Sequence, residues 1–176
     1  MLLTCDTVGE HTPHRGFDVF TFVQPLPYVE PMVRVSAHPA ERSNPTIKDV
    51  QWVQDRQHLE EIQQLEGVNE VIMYDCSGQV TEGLQTNFFA AWPDGSLQTA
   101  CDERVLAGTV RKVVLDVARE HGIAVRFECP RIEDAKLWES CFICSTSRLV
   151  KPVCELAARE HSRQSKAQAP AVEQAV

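Results

Sequence analysis

Residues 70–99 have the sequence EVIMYDCSGQVTEGLQTNFFAAWPDGSLQT, in which three strand-like runs alternate with two turns. The runs are 70–75, 80–92 and 97–99. Ser77 and Gly78 lie in the first turn and Pro93, Asp94 and Gly95 in the second, which are residue types that favour tight turns. Strands joined by short turns pair antiparallel. This stretch therefore predicts a meander of antiparallel sheet.

Two stretches that flank the meander have helical periodicity. In 52–65 the apolar residues Trp52, Leu59, Ile62 and Leu65 fall near one helical face. The second stretch also has its apolar residues near one helical face, namely Val110, Val113, Val114, Val117 and Ala118. Gly108 and Thr109 lie at its start, and Gly122 follows its end. Further strands are predicted at 17–23, 33–36, 123–129, 141–145 and 149–153, and a short helix at 132–138. The predicted fold class is α+β, a curved and mainly antiparallel sheet with packed helices.

Composition limits the classes of function. The chain has 176 residues, 43% hydrophobic and 24% charged, which is ordinary for a globular domain. A formal net charge of -8 disfavours nucleic acid and anionic membranes as partners. No apolar run approaches the roughly 20 residues that span a bilayer, and the first residues lack a secretory pattern. The sequence therefore predicts an intracellular, cytoplasmic protein.

The seven cysteines predict neither a disulfide framework nor a metal site. Their number is odd and their spacing irregular. Cys141 and Cys144 form a CxxC, but a zinc site needs about four ligands and no second CxxC or HxxxH follows. Phe142 and Ile143 also give this pair the character of a strand. We expect a structural role for the cysteines and no bound metal.

Taken one at a time, the residues that could carry chemistry give weak signals. A lysine such as Lys48 is usually only solvated, and Glu82 after a turn is usually a surface carboxylate. Gly108 and Thr109 at a helix start could bind an anion through free backbone N–H groups, or could only cap the helix. Ser145, Thr146 and Ser147 form a hydroxyl-rich loop that could hold a phosphate.

Taken together, four blocks occur in a recognisable order. They are Lys48, VTEGLQTNFF at 80–89, VLAGTVRKVVL at 105–115 and CFICSTSRLVKPV at 141–153. This series resembles the class IV (fold-type IV) pyridoxal-phosphate-dependent aminotransferase family, which includes branched-chain and D-amino-acid aminotransferases and aminodeoxychorismate lyase. The resemblance covers about residues 32–153 and corresponds to the C-terminal domain of that family.

The resemblance implies pyridoxal 5'-phosphate as the cofactor and gives roles to three positions around its ring. Lys48 would form the imine with the cofactor aldehyde and move the α-proton of the substrate. Glu82 would pair with the pyridine nitrogen, which strengthens the ring as an electron sink. Leu106 would pack against the ring face.

Other positions would hold the phosphate or face the substrate. The backbone N–H groups of Thr109 and Val110 would bind the phosphate at a helix N-terminus, and Thr146 would add a hydrogen bond. Ser145 and Ser147 would lie near the substrate. Asn87 is expected to tie a bend in the sheet, and a direct role for Arg42 is not favoured.

The family has two domains with the active site between them, and 47 residues before Lys48 are too few for the first domain. We expect an irregular lead and remnant of the N-terminal domain or linker at 1–31, the cofactor-binding domain at 32–158 and a disordered tail at 159–176. The chain could be a fragment, which we favour, a short paralogue with weak or no cofactor binding, or one half of a site completed by another chain. A homodimer, or a chain that supplies the missing domain, is the expected partner.

The predicted function is a class IV transaminase that moves an amino group between an amino acid and a 2-oxo acid. A lyase of the aminodeoxychorismate type, which uses the same lysine but releases pyruvate, is an alternative. A non-catalytic protein that acts through protein contacts is the second alternative.

Overall fold

The computed structural model describes residues 2–4, 18–21, 23, 25, 26 and 30–158. The elements, in chain order, are β1 (Leu2–Thr4), β2 (Asp18–Phe20), β3 (Val33–Pro39), α1 (Gln51–Asp55), α2 (Gln57–Glu66), β4 (Glu70–Tyr74), β5 (Val80–Gly83), β6 (Asn87–Ala91), β7 (Leu97–Thr99), α3 (Thr109–Glu120), β8 (Val125–Phe127), a 3₁₀ helix (Ile132–Leu137), β9 (Ser140–Ser145) and β10 (Leu149–Ala158). Strands β1 and β2 pair antiparallel in a small sheet of their own.

The other eight strands form one sheet in the order β5-β4-β3-β10-β9-β6-β7-β8, and β5 also pairs with β6. That extra pairing, at Glu82 and Asn87, closes six strands into a ring. The predicted meander is confirmed, since β4, β5, β6 and β7 pair antiparallel in succession. Three pairings are parallel, namely β3 with β4, β3 with β10 and β7 with β8. The curved, mainly antiparallel α+β sheet is thus as predicted.

Strand alternation divides the core into two clusters. Ile72 and Tyr74 of β4 pack with Val33, Val35, Phe88 and Ile143 in one cluster. These side chains come from one face of the strands that form the ring. Val71 and Met73, which alternate with Ile72 and Tyr74 along β4, point to the other face and pack against Trp52 and Leu59 of α1 and α2. The second cluster fixes α1 on the sheet, and α1 begins three residues after Lys48.

Several sequence predictions differ in detail from the structure. The helix expected at 52–65 is two helices, because the chain makes a turn at Arg56, and the run at 80–92 is two strands separated at 84–86. The short helix expected at 132–138 is a 3₁₀ helix. Within the lead expected to be irregular, Leu2–Thr4 is a strand, while 5–17 and the expected tail at 159–176 lie outside the described residues.

Candidate active site

A cleft of about 390 Å³ opens where α1, the segment between β5 and β6, the loop before α3 and the loop after β9 meet. Seven of the eight predicted site residues line it: Lys48, Glu82, Leu106, Val110, Ser145, Thr146 and Ser147. The eighth, Thr109, lies between two lining residues, Gly108 and Val110. The structure therefore brings together residues that are up to 99 positions apart (48 to 147) in the sequence.

Glu82 is the buried carboxylate of the cleft, with 4% of its surface exposed. Burial raises the pKa of Glu82, and the backbone N–H of Leu106, the charge of Arg42 and, more weakly, the charge of Lys48 oppose that rise. The Leu106 N–H donates to Oε2 at 3.1 Å. Oε1 lies 3.5 Å from Nη1 of Arg42. One buried carboxylate with few donors around it is suited to accept a proton or an N–H from a ligand.

Arg42, for which a direct role was not favoured, lines the cleft. Its side chain is buried, its guanidinium is 5.2 Å from the centre of the Trp52 ring, and it donates to the carbonyl of Ile47. The indole N–H of Trp52 donates to the carbonyl of Leu84 at 2.9 Å. Arg42 thus connects the segment that carries Lys48 to Glu82.

Lys48 lies at the open side of the cleft, and its side chain is exposed. Three apolar neighbours are exposed as well: Ile47 by 57%, Val50 by 72% and Val53 by 51%. A cluster of exposed apolar residues beside a cleft is typical of a surface that another part of a protein covers.

The loop before α3 is held against β6 by Asn87. Its side-chain amide donates to the carbonyl of Leu106 at 2.8 Å. A Cβ on Gly108 would lie 2.2 Å from Asn87 Oδ1, so only glycine allows this approach. Asn87 is structural, as expected, but it fixes this loop rather than a bend in the sheet. The first-turn N–H groups of α3, at Thr109 and Val110, have no acceptor within the helix and can bind an anion.

The hydroxyl loop after β9 lines the same cleft as this helix start. Thr146 is exposed there, and the Ser145 and Ser147 hydroxyl oxygens are 3.4 Å apart. The N–H of Arg148 donates to Ser145 Oγ at 3.3 Å. Leu149, with φ of 56°, ends the loop in a left-handed conformation that is uncommon for this residue type.

The CxxC residues do not converge on one point. In strand β9, Cys141 joins the first core cluster, while Cys144 faces the cleft from the other side of the sheet. Burial raises the pKa of Cys141 to about 11 and that of Cys144 to about 12. Among the described residues, no group of three His, Cys, Asp or Glu side chains could hold a metal ion. In the same residues, no helix has the length and hydropathy of a membrane span.

Sequence reasoning missed Glu70 and Arg148. Nη1 of Arg148 donates to Oε2 of the fully buried Glu70 at 2.9 Å, behind the hydroxyl loop. A carboxylate at the start of the apolar strand EVIMY was the available signal, because a charged group in a buried strand requires a partner.

Comparison with known proteins gives a consistent result. A family model described as "Amino-transferase class IV" matches residues 3–156. A "Putative branched-chain-amino-acid aminotransferase" from Methanocaldococcus jannaschii is 34% identical over 94 residues, which are 53% of this chain and 32% of that protein.

Two solved structures are similar in fold. The branched-chain amino acid aminotransferase from Thermobaculum terrenum, in its PLP form, has a TM-score of 0.65 at 21% identity and covers 71% of this chain and 43% of its own. A "Putative 4-amino-4-deoxychorismate lyase" from Legionella pneumophila has a TM-score of 0.65 at 16% identity and covers 80% of this chain and 52% of its own. The chain thus spans about a third to a half of the length of these relatives.

Proposed function

The chain belongs to the class IV aminotransferase family, and from that premise we propose that it is the cofactor-binding part of a pyridoxal-phosphate-dependent transaminase. The proposed reaction moves an amino group between an amino acid and a 2-oxo acid. One observation carries the proposal: the amine of Lys48, the carboxylate of Glu82 and the hydroxyl of Thr146 line the same cleft beside a helix N-terminus.

The residues of the cleft fit this cofactor. A carboxylate stabilises the protonated form of a pyridine nitrogen. Glu82 lines the cleft and has two partners within the chain, the Leu106 N–H and Arg42. A phosphate needs N–H and O–H donors, which α3 and Thr146 supply. Leu106 offers an apolar side chain for the ring face. Pyridoxal phosphate, when bound, supplies an aldehyde that bonds to amines and a ring that withdraws electrons from the substrate.

The residues of the cleft would have separate roles in this reaction. Lys48 would hold the cofactor through its amine and would accept and return the proton of the substrate α-carbon. Glu82 would hold a proton at the ring nitrogen, and its raised pKa suits a carboxylate that shares that proton. The first turn of α3 and Thr146 orient the phosphate, and Ser145 and Ser147 face the substrate side.

The lyase reaction remains a second candidate. The Legionella structure named as a putative aminodeoxychorismate lyase has the same TM-score, 0.65, as the Thermobaculum aminotransferase structure. The M. jannaschii relative with 34% identity favours the transaminase. A non-catalytic role through protein contacts is the outcome that remains if the chain binds no cofactor.

We further propose that residues 32–158 form the cofactor-binding domain and that a homodimer partner or another chain segment covers the open side of the cleft. Ile47, Val50 and Val53, exposed beside Lys48, support this. A cytoplasmic location, with small amino and 2-oxo acids as ligands, belongs to the same proposal.

The test is covalent labelling. The purified chain is incubated with pyridoxal phosphate, its near-visible absorbance is recorded, and the adduct is reduced with borohydride and mapped by mass spectrometry. We expect the label on Lys48, and no band with Lys48→Ala. Lys112→Ala is the matched control, because Lys112 is an exposed lysine on α3 paired with Asp116, and it should leave the band unchanged. A folded native chain with no label, or with label spread over surface lysines, contradicts the proposal.

A further inference from the structure

Glu70 and Arg148 form a buried ion pair directly behind two walls of the cleft, and neither residue lines it. Glu70 is fully buried and Arg148 nearly so, with 15% of its side chain exposed. Burial raises the pKa of Glu70, and the charge of Arg148 is the largest influence that opposes the rise. A charge buried to this degree needs its partner, because an unpaired one is strongly unfavourable.

The contacts of Glu70 reach both walls. Its Oε2 accepts from Arg148 Nη1 at 2.9 Å and from Thr86 Oγ1 at 3.2 Å, and its Oε1 accepts from the Val71 N–H at 3.1 Å. The turn that contains Thr86 begins at Gly83, where an added Cβ would lie 3.0 Å from Glu70 Cγ. Gly83 follows Glu82 in the chain, so Glu70 supports the backbone beside the carboxylate of the cleft.

Arg148 closes the hydroxyl loop on the other side. Its Nη1 also donates to the carbonyl of Asn69 at 3.0 Å, and its backbone N–H donates to Ser145 Oγ. The Arg148 side chain thus ties the C-terminal end of the short segment that carries Thr146 to Asn69 and Glu70, and its backbone N–H joins the two ends of that segment. Loss of the side chain would release this end of the segment and leave the backbone hydrogen bond in place, while the Thr86 and Val71 contacts would still hold the turn beside Glu82.

We propose that the Glu70–Arg148 pair is a positioning device that fixes the hydroxyl loop at the phosphate end of the cleft. The proposal rests on the proposed function. Its distinctive consequence is selectivity: loss of the Arg148 side chain should weaken binding of the phosphate group, whereas the Thr86 and Val71 contacts of Glu70 still hold the ring end, where Lys48 and Glu82 lie. A contact that only stabilised the fold would not distinguish these two ends.

The experiment compares pyridoxal phosphate with pyridoxal, which lacks the phosphate, by titrating the near-visible band of the full chain. With Arg148→Met we expect the affinity for pyridoxal phosphate to fall about tenfold, since misplaced binding groups lose affinity and rate steeply. The weaker affinity for pyridoxal should not change. Arg148→Lys keeps the charge but not the planar guanidinium geometry and should restore part of the loss.

A double-mutant cycle and a matched control complete the design. Glu70→Gln keeps the shape, and Glu70→Gln/Arg148→Met should bind no more weakly than the weaker single variant, because both remove the same contact. Arg34→Met removes an exposed Arg–Glu pair of similar length, 2.8 Å to Glu155, and should change neither affinity. Circular dichroism and urea midpoints check that each variant is folded.

Equal losses for the two ligands, or unchanged affinity for pyridoxal phosphate in Arg148→Met and Glu70→Gln, would overturn the positioning role while leaving the proposed function in place. If the unsubstituted chain forms a band with neither ligand, the proposed function fails, and the positioning role fails with it.

Discussion

The two sides of the cleft differ in how fully this chain completes them. The inner wall, Glu82, Asn87 and Cys144, is buried, and its polar members have hydrogen-bond or ionic partners within the chain. The outer rim, Ile47, Lys48, Val50 and Val53, is exposed, and three of its four residues are apolar. The inner wall is therefore fixed by the fold, whereas the rim has the composition of a contact surface.

This difference predicts which property of the chain a substitution on each side of the cleft should change. Substitutions behind the inner wall should lower the free energy of unfolding and also disturb the geometry of the site. Changes on the rim should leave the stability almost unchanged and affect association or activity. The expected loss of stability decreases from the centre of the core to the rim.

The largest effect is expected for Phe88→Ala. Phe88 is fully buried on β6, next to Asn87, and its ring centre is 5.6 Å from that of Trp138. Removal of so large a core side chain should lower the free energy of unfolding by about 3–5 kcal/mol, measured by urea denaturation. Val53→Ala, on the rim, is the comparison and should cost less than about 0.5 kcal/mol. Similar losses at the two positions would mean that the rim is as well packed as the core.

A smaller loss is expected for Gly108→Ala. The new Cβ would collide with Asn87 Oδ1, so the loop that carries Leu106 must shift, at a cost of about 1–3 kcal/mol in urea denaturation. Asn87→Ala removes the obstacle together with a hydrogen bond, so the double variant should lose less than the sum of the two single losses. If the losses in the free energy of unfolding were strictly additive, the added Cβ and the Asn87 side chain would not collide.

The sequence predicted the elements of the inner wall better than their assembly. Turn residues and strand alternation are local signals, and they identified the meander, whereas the residues of the cleft were indicated only by the resemblance to the family. The pairing of Glu82 with Asn87 that closes the ring, and the parallel contacts of β3 with β4 and β10, join distant parts of the chain for which a single sequence holds no local signal.

The rim was predicted less well, for a related reason. The resemblance indicated Lys48, but whether its side chain is exposed depends on what packs around α1 and not on the residues beside it. The contacts of Arg42 with Glu82 and Trp52 have no local signal in the sequence either, because they form only after β3, α1 and β5 have come together.

Glu82→Gln should stabilise the chain at neutral pH, whereas most substitutions of buried residues destabilise a protein. Burial raises the pKa of Glu82 in the folded chain, so the folded state binds the proton more tightly than the unfolded state does. The stability that Glu82 contributes is then fully present below its unfolded pKa and is lost as pH rises through the folded pKa.

Unfolding of the two proteins by urea at several pH values measures this effect. Their free energies of unfolding should be similar near the acid end and diverge towards neutral pH in favour of Glu82→Gln. The affinity for pyridoxal phosphate should instead fall about tenfold, since a hydrogen bond to a charged group is lost. A variant that is less stable than the native chain at neutral pH would show that the partners of Glu82 outweigh its burial.

The smallest effect on stability, and the sharpest test of the comparison, is expected on the rim itself. Val50→Ser and Val53→Ser should each change the free energy of unfolding by no more than about 0.5 kcal/mol, because exposed side chains change little on unfolding. If the rim is a contact surface, the double variant should sediment as a smaller species than the native chain at the same concentration. Leu65→Ser is the matched control, because Leu65 is 87% exposed on α2 and does not line the cleft, and it should leave the sedimentation unchanged. A native chain that sediments as a monomer at all concentrations would contradict self-association at the rim and leave a different protein or chain segment as its cover.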